Sequence, residues 1–243
     1  MRLKDKIILI TGSTTGIGEG MARVFADEGA TVAIHGLGED GSGDLEDPAV
    51  PARLIEATVA HYGRIDGLVN NAATMTRGDL EATDAETFDR TIAINLRAPL
   101  LLIRAALPHF QKQGGGRVLN IGSVNGYCGE RTQLAYSISK GGLTTLTRNL
   151  ADALGPEGVR VNQINVGWTL TPNEHALKQR EGMPEDWPSR LPKTFAPSGR
   201  LLAPEDVAWA AVYLMSDEAA LLNGAVIDLE QYPVIGRNPS KEV

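Results

Sequence analysis

Short apolar runs alternate along this chain with segments whose apolar residues recur at helical spacing. Ile7 to Thr11 is a continuous apolar and β-branched run, the pattern of a parallel strand buried on both faces. A glycine-rich stretch, Gly12 to Gly18, follows it, and Ile17, Met21, Val24 and Phe25 then mark one face of a helix. Thr31 to His35 reads as a second strand after the helix stop at Gly29-Ala30. Pro51 to Tyr62 reads as a helix ended by Gly63, with Leu54, Ile55, Thr58, Val59 and Tyr62 on one side. Ile65 to Ala73 is a strand and Asp84 to Pro108 supplies helical segments. Arg117 to Gly122 is a strand with Ser123 at its carboxyl end, and Gly141 to Leu154 continues a helix that Tyr136 to Lys140 leads into. Arg160 to Trp168 reads as a sixth strand with its exit turn, and Ala225 to Leu229 as a last one. Between them Pro204-Glu-Asp opens a helix to Met215, with proline in the first turn and acids at the positive end.

Two segments break the rhythm. A parallel strand needs a crossover of about a dozen residues or more, yet only Leu37 to Gly43 separate the second strand from any third strand near Asp44-Leu45. The helix after the second strand is therefore expected to be shortened or missing, with Asp44 in a loop. Residues 168–202 carry Pro172, Pro184, Pro188, Pro192 and Pro197, and so long an irregular insert is expected to be a substrate lid. Its Trp187, Arg180, Arg190 and Lys193 suit a polar ligand better than a steroid or a long acyl chain.

The bulk numbers set limits. A chain of 243 residues, 42% hydrophobic and 22% charged, fits one α/β domain over residues 1–243. A net charge of -7 without a basic cluster argues against nucleic acid or an anionic membrane as partner. The apolar run at the amino end, Ile7 to Ile10, is too short for a signal-peptide core, and no 18-residue apolar stretch is read as a membrane span. Cys128 stands alone, which excludes an intrachain disulfide and fits a reducing, cytoplasmic setting. His35, His61, His109 and His175 are scattered without ligand spacing, so no metal is expected and they are read as structural or surface residues.

The chemistry begins at the first loop. Strand, glycine loop and helix make a phosphate site: Gly12 allows the tight turn, Gly16 lets backbone amides approach a pyrophosphate, and Gly18 lets helix and strand pack closely. At the end of the second strand, where an acid would grip a ribose and an arginine a 2′-phosphate, His35, Gly36 and Leu37 do neither. The acids that follow, Glu39, Asp40, Asp44, Glu46 and Asp47, would repel an extra phosphate and so weigh toward NAD, unless the loop is merely solvated. The run Asn70-Asn71-Ala72-Ala73 leaves room for a flat ring, or is an asparagine-rich turn. Asn95, on an apolar stretch, either satisfies a helix kink or joins a polar network. Tyr136 and Lys140 are four apart, hence a turn apart on one helix face, where a cation favours the phenolate and makes the phenol an acid/base near neutral pH.

Taken together, Thr11-Gly-Ser-Thr-Thr-Gly-Ile-Gly18, Asn70 to Ala73, Asn95, Ser123 and Tyr136-Ser-Ile-Ser-Lys140 resemble the classical short-chain dehydrogenase/reductase family across essentially the whole chain. The resemblance implies a single doubly wound Rossmann domain with a mainly parallel sheet, an NAD(P) cofactor, and a homo-oligomer, tetramer or dimer, built on the helices after Ala98 and Tyr136. It implies that Tyr136 exchanges a proton with the substrate oxygen and that Lys140 depresses the phenol's pKa and holds the nicotinamide ribose. Ser123 would bind the substrate oxygen, and Asn95 would position a water leading from Lys140. Cofactor contacts carried over by it are Gly12, Thr14, Gly16, Ile17, Gly18, the adenine pair Asp44 and Leu45, the strand end Asn71, Ala72 and Ala73, and Gly167 with Thr169 at the carboxamide. Val166 stands where the family has proline, and Gln231-Tyr232 where it has a glycine pair. The expected activity is interconversion of a secondary alcohol and a ketone on a small polar substrate such as a sugar, polyol or hydroxy acid. A 3-oxoacyl thioester reductase and a non-catalytic dinucleotide-sensing regulator are the alternatives.

Overall fold

The computed structural model describes residues 1–38 and 43–232. Strand β1 (Ile7–Ile10) leads through the glycine loop into helix α1 (Gly16–Asp27), and strand β2 (Thr31–Ile34) follows. Helix α2 (Val50–Tyr62) ends at Gly63, whose left-handed φ of 82° provides the stop. Strand β3 (Gly67–Asn70) precedes helix α3 (Ala85–Ile92), which Asp84 caps by accepting from Thr87 N at 2.8 Å. A π turn (Ala93–Arg97) joins α3 to helix α4 (Ala98–Lys112). Strand β4 (Gly116–Ser123), the short helix α5 (Asn125–Cys128), helix α6 (Leu134–Leu154) and strand β5 (Val159–Val166) come next. Helix α7 (Pro172–Arg180), helix α8 (Pro204–Met215) and strand β6 (Val226–Leu229) complete the described order.

All six strands pair in parallel in the order β2-β1-β3-β4-β5-β6. The chain steps from β1 out to β2 and returns to the other side of β1, so the strand order reverses between β1 and β3. Ligands of open α/β sheets bind at the carboxyl ends beside such a reversal. Alternation of side chains divides the core in two. Ile8 and Ile10 face Met21 and Phe25 of α1 and Val207 and Ala211 of α8, whereas Leu9 joins Ile55, Leu102, Phe110 and Val161 on the face covered by α2, α4 and α6.

Asp44 lies in a loop, as expected, and because no strand forms at Asp44-Leu45, β2 is the sheet edge and Val159–Val166 is the fifth strand rather than a sixth. α2 is therefore the crossover from β2 to β3, and no additional helix stands between β2 and α2 among the described residues; Glu39 and Asp40 lie outside them. The uncovered edge shows in Ile34 and Leu37, 65% and 60% exposed. The lid is not wholly irregular, because Thr171 caps α7 by accepting from Glu174 N at 3.1 Å. Finally, Ala85–Lys112 is one continuous helical stretch long and apolar enough to cross a membrane, with a mean hydropathy of 1.3 in its best window. Half of that window is buried, and Leu102, Ile103, Ala106 and Phe110 make it a core helix.

A buried polar chain ties α6 to the sheet. Asn70 donates to Asn120 (2.8 Å), Asn120 to Thr147 (2.8 Å), Thr147 to Gln163 Oε1 (2.8 Å), and Gln163 Nε2 to Thr144 (2.7 Å) and Asn165 (2.6 Å). Gln163 is 0% exposed and spends both ends of its amide. Gln163→Leu keeps the volume but removes one hydrogen-bond partner from each of three buried groups, so it is expected to cost roughly 2 to 4 kcal/mol, read as a lower midpoint in urea unfolding.

Candidate active site

The first loop is built for close approach of an anion. Gly12 and Gly16 have φ of 62° and 58°, values that side-chain-bearing residues rarely adopt. A β-carbon on Gly18 would collide with the Gly12 carbonyl and the Asn71 amide. Gly16 is different: a β-carbon there meets only the γ-methyl of Thr171 at 3.5 Å, so the space beside it is open. α1 starts behind an extended Thr15 with no side-chain cap, which leaves its first amides for a ligand. Asn71 secures the loop from β3 by donating to Thr11 O (2.8 Å) and Gly12 O (3.0 Å), while Thr11 Oγ1 accepts from the amides of Asn71 and Ala72. These features fit a dinucleotide pyrophosphate.

Across the switch point stand the hydroxyl, phenol and ammonium. Ser123 closes β4; its hydroxyl accepts from Asn125 N at 3.2 Å and lies close enough to the Tyr136 phenol to draw its pKa down. Lys140 Nζ lies 5.5 Å from the Tyr136 ring centroid and donates to Ile121 O at 2.7 Å. The ammonium is 3% exposed, and burial pushes its pKa down to about 8. Burial also pushes the Tyr136 phenol up, against a smaller pull downward from Ser123. Lys140 is aimed at the Ile121 carbonyl rather than at the phenol, so burial is the larger influence on Tyr136 in this structure. Asn95 sits in the π turn and answers both readings of it. Its Oδ1 accepts from Thr74 N (2.8 Å), and its Nδ2 donates to Thr74 O (2.9 Å) and Ser139 Oγ (3.1 Å).

A cavity of about 410 Å³ gathers Ile17, Asn71, Ala73, Ser123, Tyr136, Lys140, Gly167 and Thr169. Gly12, Gly16 and Gly18 form the loop beside it, with Ala72 packed on Gly12 and Asn95 behind it. Thr14 is exposed against Gly36. The adenine pair is placed otherwise: Leu45 is 5% exposed in the core, and Asp44 is held by Arg90 at 3.0 Å and by Glu46 N.

Several lining residues were not singled out by the sequence. Arg77, Asn125, Gln133, Glu174, Lys178 and Glu230 bring polar groups, and Trp168 and Phe195 bring rings. The lid residues expected to face a ligand do not: Trp187 is 1% exposed beneath Trp168, stacked at 5.5 Å, and Arg190 pairs with Asp186 on the surface. Arg180 and Lys193 are exposed and line no part of the cavity. Glu174 accepts from Trp168 Nε1 at 2.9 Å, and Lys178 lies 5.7 Å from the same ring. Their spacing of four behind the Thr171 cap places them on one helix face, the one local signal that could have found them. Arg77 Nε and Lys178 Nζ both grip Glu181, at 2.7 and 2.8 Å, joining the loop after β3 to α7. His35, read as merely structural or surface, proves to be a contact of the glycine loop itself: it accepts from Gly12 N at 3.1 Å.

Comparison with known proteins agrees with this geometry. A family model described as Enoyl-(Acyl carrier protein) reductase matches residues 12–230. The chain is 35% identical over 246 residues to an uncharacterized oxidoreductase of Thermotoga maritima, covering 95% of this chain and 98% of that one. It is 34% identical to D-threitol dehydrogenase of Mycolicibacterium smegmatis, with 93% of each chain covered. Among solved structures, 3-ketoacyl-(acyl-carrier-protein) reductase from Brucella melitensis complexed with NADH is similar with a TM-score of 0.81 at 31% identity, covering 93% of this chain and 97% of that one.

The buried ammonium has a consequence for stability. A lysine in the unfolded chain titrates near 10.4, so between about 8 and about 10.4 the folded protein binds fewer protons and stability rises with pH. At neutral pH the burial costs roughly 3 kcal/mol. Lys140→Met is therefore expected to melt no lower than the parent at pH 7, with any gain shrinking as pH approaches 10, while turnover is lost. Thermal unfolding across that range checks it.

Proposed function

The chain belongs to the short-chain dehydrogenase/reductase family, and from that premise we propose how its own residues carry the chemistry. It is an NAD(P)-dependent oxidoreductase acting on CH–OH groups. The observation that carries the assignment of roles is that Ser123, Tyr136 and Lys140 line one cavity together with Ile17 at the start of α1, with the Lys140 ammonium 5.5 Å from the Tyr136 ring.

Tyr136 is the proton donor and acceptor at the substrate oxygen, and Ser123 holds that oxygen and the phenol together. Lys140 supplies positive charge beside the phenol and a donor for the nicotinamide ribose. Asn95 fixes Thr74 and Ser139, hence the loop after β3 and the turn of α6 that carries the pair. A bound nicotinamide would take the hydride from the carbinol carbon or give it to the carbonyl carbon. The residues that would hold it are Gly12, Thr14, Gly16, Ile17 and Gly18 at the pyrophosphate, Asn71, Ala72 and Ala73 along the strand end, and Gly167 with Thr169 at the carboxamide. NAD is favoured over NADP because no arginine stands at Leu37, and because Arg90 is committed to Asp44 and Glu46.

The substrate is a small polar alcohol or ketone, a sugar, polyol or hydroxy acid. Arg77, Asn125, Gln133, Glu174 and Lys178 offer both donors and acceptors to hydroxyls, and the relative named for D-threitol acts on a polyol. A 3-oxoacyl thioester reductase is the second reading, supported by the Brucella melitensis neighbour. The clasp of Arg77 and Lys178 on Glu181 and the Trp168–Trp187 stack argue against a long acyl chain. Leu100 on α4 and Ile138 on α6, 42% and 47% exposed, support a homo-oligomer, dimer or tetramer, on those helices. A cytoplasmic setting is the reading that Cys128 supports.

Tyr136→Phe is expected to bind NADH within a few fold of the parent while turnover on a polyol and ketone panel falls by roughly 100-fold or more; equal turnover would remove Tyr136 from the chemistry. Gly16→Val should fill the open space beside the pyrophosphate and weaken dinucleotide binding, measured by fluorescence titration. Unchanged affinity would contradict the loop's role.

A further inference from the structure

Between β2 and α2 the chain comes back beside itself. Gly43 N donates to Leu37 O at 3.0 Å, and a β-carbon on Gly43 would collide with the carbonyl of Gly36. The residue that closes this return is His35, 7% exposed at the carboxyl end of β2. Its backbone exchanges two hydrogen bonds with Ser13: Ser13 N donates to His35 O at 2.8 Å, and His35 N donates to Ser13 Oγ at 2.9 Å. Ser13 Oγ in turn donates to Ile10 O at 2.8 Å, inside β1. The ring makes two more bonds. Nδ1 accepts from Gly12 N at 3.1 Å, and this fixes the tautomer, so Nε2 carries the hydrogen and donates to Gly43 O at 2.8 Å.

We infer that His35 is a positioning residue for the dinucleotide: its neutral ring joins the first residue of the phosphate loop to Gly43 and holds that loop from the segment that follows β2. This rests on the reading of the loop as a pyrophosphate site. The geometry makes the role specific to an uncharged imidazole. A second proton would set a ring N–H against the Gly12 N–H, and the loop would have to move.

Few other groups there can titrate in the same range. Residues 7–18 and 67–73 contain no ionisable side chain. Asp44 and Glu46, on the returning segment, are engaged by Arg90, and Glu39 and Asp40 lie outside the described residues. Lys140 titrates near 8, and the other histidines sit on α2, α4 and α7. Burial lowers the pKa of His35, partly offset by the Gly43 carbonyl, so the neutral ring prevails at neutral pH.

The test is direct NADH binding by fluorescence titration from about pH 5 to about pH 8, with melting curves alongside. His35→Leu deprives Gly12 N of its acceptor and is expected to weaken binding about tenfold, since only the fraction of loops in the competent shape binds. His35→Asn, whose amide oxygen can stand near the place of Nδ1, should stay within about threefold of the parent at neutral pH. The parent should lose affinity as pH falls below the ordinary histidine range, and His35→Asn should not. Leucine-variant binding within about twofold of the parent, or an acid loss that persists in His35→Asn, would overturn the inference. Should His35→Leu fail to melt cooperatively, the pH comparison between parent and His35→Asn decides alone. A parent that binds neither NADH nor NADPH at any pH would bring down the functional reading itself, an outcome distinct from intact binding indifferent to His35.

Discussion

Lys140 keeps its ammonium almost fully out of water, and the active-site half of the protein is arranged around that fact. A charge so placed needs donors spent and neighbours fixed, and the one partner its head finds among the described residues is the carbonyl of Ile121 at 2.7 Å. Ile121 lies two residues before Ser123 on β4, so the same bond that satisfies the lysine sets α6 against the strand that carries the hydroxyl. The polar chain from Asn70 to Asn165 holds the next turns of α6, and Thr144 of that chain donates to Lys140 O at 3.2 Å. Gly122 is required by it, because a β-carbon there would strike Gln163 and Asn165. Phenol, ammonium and hydroxyl are therefore placed by a rigid interior rather than by mutual attraction.

The opposite half solves a different problem with less material. A glycine loop that leaves amides free for a ligand cannot hold itself, since the groups that would cap the helix are the ones kept open. Asn71 and Thr11 hold it from β3, and His35 with Ser13 holds it from β2. Side chains from two neighbouring strands thus buttress the loop. β2 is the sheet edge, and Ile34 at its end and Leu37 just beyond it stay exposed.

The lid follows from packing more than from charge. Trp187 is sunk under Trp168 and Phe195 closes the other side, so a small aromatic core of its own holds residues 168–202 in place. Charged residues then arrange themselves by what that core leaves exposed: Arg190 turns to Asp186 outside, while Glu174 and Lys178 turn to the cavity. Arg77, reaching Glu181 from the loop after β3, links the two walls of the mouth.

Strand, glycine loop and helix, the Asn70 to Ala73 strand end, and the hydroxyl-phenol-lysine spacing were all legible in the sequence, because each depends on neighbours within a few residues or on the period of one element. That Asp44 lies in a loop was legible too, by counting residues against the length a crossover needs. What only the tertiary structure decided are contacts between residues remote in the chain. His35 meets Gly12, Arg77 meets Glu181, Asn95 meets Thr74 and Ser139, and Leu45 goes to the core instead of the cavity. Desolvation belongs to the same class, for how far burial moves Tyr136 and Lys140 depends on everything packed around them, which no local spacing records.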